Sequence, residues 1–149
     1  MSILADYWPP DGIRVRTRRL RLSVITESDF PEAIEAILAG IHDPRRMPFE
    51  NPWTDAPRDE LIPNSLRHWW SVRGNVTPEH WQLPFAVRHE DTFVGVQELA
   101  AKDFAVTRTV RSGSWLTRSA QGNGIGVEML AVCGLGPCLR MLGTRPIDR

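Results

Sequence analysis

The sequence predicts an α/β domain whose mostly antiparallel central sheet is flanked by helices. Three observations carry this reading. Strand-like and helix-like periodicities follow one another in the order strand, helix, helix, three strands, helix. Two of the late strand segments are joined by the turn-like His89-Glu90-Asp91, which makes them an antiparallel hairpin. The hexad Gln121-Gly122-Asn123-Gly124-Ile125-Gly126 then lies between a strand and a helix, where a glycine-rich turn has a chemical use.

Met1 to Gly12 reads as an irregular lead containing Pro9 and Pro10, and residues 1–15 are set apart from a domain over 16–132. From Leu20 the pattern alternates, with Leu20, Leu22 and Val24 on one face and Arg19, Arg21 and Ser23 on the other. A helix follows, with Asp29 at its cap, Pro31 in its first turn and Glu32 completing a capping box. Phe30, Ala33, Ile34, Ile37, Leu38 and Ile41 form its apolar stripe, and Gly40 and Pro44 mark its end. His42 to Pro63 is a proline-dense loop in which Met47, Phe49 and Trp53 call for packing, since long loops in compact domains are usually functional or disordered. A second helix is expected over Asn64–Arg73, ending at Gly74-Asn75. Strands are expected over Leu83–Arg88, Phe93–Ala100 and Thr109–Thr117. Gly134, Gly136 and Pro137 end the last helix near Cys133 and leave 133–149 as an atypical tail.

Bulk properties narrow the function classes. The chain has 149 residues, enough for one domain with a core, and 42% hydrophobic with 24% charged residues is ordinary for a globular protein. A formal net charge of +0 gives no general attraction to nucleic acid or to an anionic membrane. No apolar run approaches the roughly 20 residues of a membrane span, and Met1 to Trp8 lacks the pattern of a secretory leader. Cys133 and Cys138 have no histidine near them, and His42, His68, His80 and His89 share no ligand spacing, so no metal site is expected. The expectation is a cytoplasmic protein without nucleic-acid or membrane partners.

The hexad carries the chemistry. Glycines at a helix start leave amide N–H groups uncovered, and these converge on an anion with the help of the helix dipole. The spacing G-x-G-x-G, without a following lysine, fits neither the dinucleotide fingerprint nor the nucleoside-triphosphatase loop. It resembles Q/R-x-x-G-x-G/A, the acetyl-CoA motif of the GCN5-related N-acetyltransferases. Thr17-Arg18-Arg19-Leu20-Arg21-Leu22 with Thr26-Glu27-Ser28-Asp29, and Val94-Gly95, look like the branch that modifies ribosomal-protein N-termini.

This resemblance implies acetyl-CoA as co-substrate and a primary amine as acceptor, either a protein N-terminus or a small molecule. It implies that Gln121, Gly122, Asn123, Gly124, Ile125 and Gly126 hold the pyrophosphate. Trp115, Leu116 and Thr117 would lie along the pantetheine arm, and a bulge in their strand would free backbone groups for it. The loop bearing Phe49 and Trp53 would overhang the acceptor, although aromatic residues at such spacings also serve a core. Glu98 is the candidate general base and Ser114 a candidate partner of the thiolate or a water. The competing readings are a solvated strand carboxylate and a structural serine. Asp103 is a weaker candidate base. The arginine run Arg14, Arg16, Arg18, Arg19 and Arg21 reads as a solvated strand face.

The family's later strands are expected to be missing here, as is a tyrosine near the leaving thiolate, since Tyr7 is the only one. The alternative reading is therefore a truncated, catalytically weak or inactive remnant that binds coenzyme A or acts as an interaction module. A homodimer that completes the sheet is the expected self-partner, because an unpaired strand edge invites pairing.

Overall fold

The computed structural model describes residues 2–132. A short helix α1 (Leu4–Tyr7) and a 3-10 turn (Pro9–Gly12) lead into β1 (Arg14–Arg16) and β2 (Leu20–Val24). Helices α2 (Phe30–Ala39) and α3 (Arg58–Gly74) follow, then β3 (His80–His89), β4 (Thr92–Lys102), the single turn α4 (Phe104–Thr107), β5 (Arg111–Leu116) and α5 (Ile125–Val132). The five strands form one antiparallel sheet in the order β1-β2-β3-β4-β5.

The expected elements are present: β3, β4 and the second helix run further than expected, whereas β5 is shorter than the expected Thr109–Thr117. Trp81 and Ala101 face each other across β3 and β4 and are buried, so both strands outrun the periodic pattern. Glu90 and Asp91 both take positive φ (49° and 65°), the backbone of a two-residue hairpin turn. Arg14–Arg16 belongs to the sheet, with Val15 opposite Leu22, and Ile13 is 1% exposed, so the core reaches into the expected lead. Helix α3 starts at Arg58 and carries Pro63 inside it, six residues ahead of the expected start. Asp59 and Glu60 suit its positive end, and Leu61, Ile62 and Leu66 pack on the core beneath α2, which offsets the missing proline N–H. The expected end of α5 near Cys133 and the tail 133–149 lie outside the described residues.

Two local expectations are corrected. Asp29 and Glu32 form no capping box, and Asp29 makes no side-chain cap. Asp29 accepts from the Thr26 N–H at 3.0 Å, and Arg88 on β3 donates to Asp29 at 2.8 Å and to Glu32 at 2.9 Å. A half-buried guanidinium donor outcompetes a local backbone cap, because charge-assisted bonds are the stronger. The irregularity in the sheet lies between β3 and β4, where Val87 opposes Gly95 and Arg88 opposes Phe93, leaving Val94 as the extra residue. The β4–β5 register runs unbroken from Gly95↔Leu116 to Ala100↔Arg111, so the bulge expected in β5 is absent from this pairing.

Each sheet face has its own core. One holds Leu20, Leu22, Leu83, Phe85 and Val87 with Ile125 and Met129 of α5. The other packs Phe30, Ala33 and Ile37 of α2 and Trp69 of α3 on Ala86, Phe93 and Val96. Among the described residues no helix is long and apolar enough to cross a membrane, and no group of His, Cys, Asp or Glu has the geometry to hold a metal ion.

Candidate functional site

The hexad sits between β5 and α5 as a turn shaped by its glycines. Gly122 and Gly124 take φ of 79° and 75°, values that L side chains adopt only with strain. The amide N–H groups of Gly122, Asn123, Gly124, Ile125 and Gly126 have no acceptor among the described residues, while Glu128 N–H already donates to Gly124 O at 3.2 Å. The Ile125 side chain is 3% exposed and anchors the turn in the core beside Ala120 and Met129. An added Cβ meets nothing within 4 Å at Gly122 and only an ordinary contact with Leu116 Cδ1, at 3.8 Å, at Gly126. Glycine at position 126 therefore leaves room for something outside the chain rather than for its own packing.

Two side chains brace this turn. The Gln121 amide donates to Ile41 O at 2.7 Å and to Leu116 O at 3.1 Å, tying the turn to the end of α2 and to β5. Arg19, in the β1–β2 connection, donates to Asn123 O at 3.0 Å and pairs with Glu128 at 3.3 Å. Sequence periodicity placed Arg19 on a solvated strand face. It reaches the turn because the hairpin end, closed by Thr17 N–H to Leu20 O and Leu20 N–H to Thr17 Oγ1, lies against α5.

Residues 115–117 divide by the alternation of the antiparallel ladder. Thr117 N–H donates to Val94 O at 2.8 Å, so its amide serves the sheet, and the Trp115 amide faces β4 by the same alternation. Ser114 and Leu116 turn their backbone groups to the other edge of β5, which no strand pairs among the described residues. Of the three residues expected along the pantetheine arm, Leu116 is thus the one whose amide is free. Trp115 points its ring to the opposite face, 5.8 Å from Phe93 and 6.4 Å from Trp53, and Trp53 in turn stands 5.4 Å from Phe49. Phe49 and Trp53 from the proline-rich loop thus meet β5 through Trp115.

Glu98 lies on this aromatic face, opposite Gly113 and one pleat along from the Val96–Trp115 pair. Its side chain is 23% exposed and accepts from His68 Nε2 of α3 at 2.8 Å and from Gln82 Nε2 of β3. The hydrogen bond to Glu98 raises the His68 pKa; partial burial opposes the shift, and the carboxylate's charge adds to it. The contact brings a carboxylate and an imidazole together on this face, one strand in from the edge, two groups of the kind that serve proton transfer. Ser114 does not join this cluster. It pairs with Gln97, so its side chain lies on the α5 face, and it makes no side-chain hydrogen bond among the described residues. Asp103 sits in a left-handed turn after β4, and its carbonyl caps α4.

His68 and Gln82 escaped the sequence reading. No spacing links His68 to Glu98, since they are thirty residues apart on different elements. The one available signal was position: His68 lies three residues after buried Ser65 and next to buried Trp69, on the side of α3 that faces the sheet.

The chain belongs to the GCN5-related N-acetyltransferases: the model described as an acetyltransferase (GNAT) domain matches residues 19–134. Among solved structures it is similar to a ribosomal L7/L12 alpha-N-protein acetyltransferase, RimL, in complex with coenzyme A. Identity is 18%, coverage 80% of this chain and 66% of that one, and the TM-score 0.54. It is also similar to RimJ of Mycobacterium smegmatis in complex with a CoA-disulfide, with 20% identity, 84% and 56% coverage and a TM-score of 0.61. A ribosomal-protein-serine acetyltransferase homologue from Vibrio cholerae gives 18% identity, 88% and 70% coverage and a TM-score of 0.53. These likenesses establish the shared α/β fold. The chain spans 66% of the length of the first of these and 56% of the second.

Proposed function

We propose that this chain acts as an acetyl-CoA-dependent N-acetyltransferase on a primary amine, with a protein N-terminus as the acceptor class. The observation that carries the reading is the set of amides from Gly122 to Gly126 that have no acceptor among the described residues, beside an edge of β5 that no described strand pairs. The amides and the start of α5 suit a pyrophosphate. The outward backbone groups of Ser114 and the outward N–H of Leu116, whose carbonyl is held by Gln121, suit an extended amide-bearing arm added at the sheet edge. The relatives whose names specify ribosomal L7/L12 N-termini support that acceptor class.

The chain's own residues then divide the work. The turn and the β5 edge orient the thioester. The face bearing Phe49, Trp53 and Trp115 receives the acceptor, and Glu98 takes the proton that the amine nitrogen loses. The amine nitrogen bonds to the acetyl carbon, the carbon–sulfur bond breaks and its electron pair leaves on the thiolate. His68 and Gln82 orient the Glu98 carboxylate.

Calorimetric titration with acetyl-CoA tests the reading. The wild-type chain binds, Gly124→Val and Gly126→Val lose more affinity than Gln121→Ala, and Trp53→Ala raises the acceptor KM while leaving acetyl-CoA affinity unchanged. A wild-type chain that binds acetyl-CoA without turnover would favour the remnant reading, and no binding at all would refute the cradle.

A further inference from the structure

We infer that Arg19 is the positioning residue of the phosphate cradle, acting through Asn123 and Glu128 rather than by touching the ligand. The inference rests on the acetyl-CoA reading of the turn and deepens it. The Asn123 carbonyl and the Gly124 N–H belong to one planar trans peptide and point in opposite directions. Arg19 draws that carbonyl to itself at 3.0 Å, so the Gly124 N–H is held on the far side, where no described group accepts it. Gly122 and Gly124, both at positive φ, leave this peptide free to flip unless something holds it.

The second contact concerns charge. Glu128 lies in the first turn of α5, its side chain 17% exposed, next to the amides that would receive a phosphate. A carboxylate there suits the helix dipole and opposes an incoming anion. The Arg19 guanidinium, with its side chain 37% exposed, pairs with Glu128 at 3.3 Å and cancels that opposition. One residue on the β1–β2 hairpin thus both orients a donor peptide and neutralises the wrong charge. Lysine, a point charge without a planar fork, cannot serve both acceptors in this way.

The test compares acetyl-CoA with acetyl-pantetheine, which carries the thioester arm without phosphates. Arg19→Ala is expected to raise the acetyl-CoA Kd roughly tenfold and leave the acetyl-pantetheine KM unchanged. Arg19→Lys should fall between wild type and Arg19→Ala. The double variant Arg19→Ala/Glu128→Gln should recover part of the lost affinity, because the uncompensated carboxylate is gone. Equal loss for both thioesters with a lowered melting temperature would make Arg19 merely structural and overturn the inference. An unchanged acetyl-CoA Kd in Arg19→Ala would overturn it as well. Glu128→Gln alone tightening acetyl-CoA, with no recovery in the double variant, would make Arg19 a direct phosphate ligand instead. A wild-type chain that binds neither acetyl-CoA nor inorganic pyrophosphate overturns this inference and the proposed function together.

Discussion

Replacing Gly95 by alanine should open the sheet at the strand pair that carries the site. A Cβ at Gly95 falls inside contact distance of the Trp115 carbonyl oxygen, 3.0 Å from Leu116 Cα and 3.1 Å from Leu116 Cδ2. Two of these neighbours are backbone, so the clash cannot be relieved by a rotamer change, and β4 and β5 must part. Overpacking of this kind costs about 1–3 kcal/mol, and weakening the ladder bonds on either side adds roughly 1 kcal/mol. Their sum of about 3 kcal/mol corresponds to a fall in Tm of roughly 6–12 °C for a domain of this size. Gly113, on the same strand pair opposite Glu98, has nothing within 4 Å of an added Cβ. Gly113→Ala should therefore stabilise by about 0.4–1 kcal/mol through the unfolded chain. Thermal and urea melts of both variants read the difference, and acetyl-CoA titration reads its consequence for Leu116 and the turn. Opposite signs are required. A Gly95→Ala variant within about 1 kcal/mol of wild type, or equal effects at the two glycines, would refute this account of the β4–β5 approach.

Two further predictions concern charge. The raised His68 pKa means that protonated His68 stabilises the fold below the ordinary histidine range, a contribution lost as pH rises through its folded value. Glu98→Gln removes both raising causes and leaves burial, so the His68 midpoint in an NMR titration should fall; an unmoved midpoint would separate the two residues. Arg88→Met strips the partner from Asp29, which is 7% exposed, and from Glu32, and should cost about 2 kcal/mol, between exposed and buried pairs. The Arg88 hydrogen bond lowers the Glu32 pKa, despite some desolvation. That part of the cost is thus present above the ordinary glutamate value and shrinks as pH falls through the lowered one, which urea melts across the acidic range would detect.

Much of this architecture is legible in the sequence because it is local. Alternation at Leu20, Leu22 and Val24, the helical stripe from Phe30 to Ile41 and the hairpin turn before Thr92 depend on neighbours within a few residues. The glycine hexad was legible for the same reason: positive φ and uncovered amides follow from the glycines themselves. Tertiary structure decided whatever depends on a partner distant in sequence. Asp29 and Glu32 look like a capping box until Arg88, 59 residues from Asp29, takes both carboxylates. Arg19 looks like a solvated strand residue until the hairpin brings it to Asn123, 104 positions away. Glu98 and Ser114 are both candidates for the chemistry until the register sets them on opposite faces, since a sheet alternates its side chains with a period of two. Sequence periodicity determines which residues can share a face. Only the pairing of strands and the packing of helices on them determine which faces meet, because those contacts cross long stretches of chain whose relative placement no local pattern encodes.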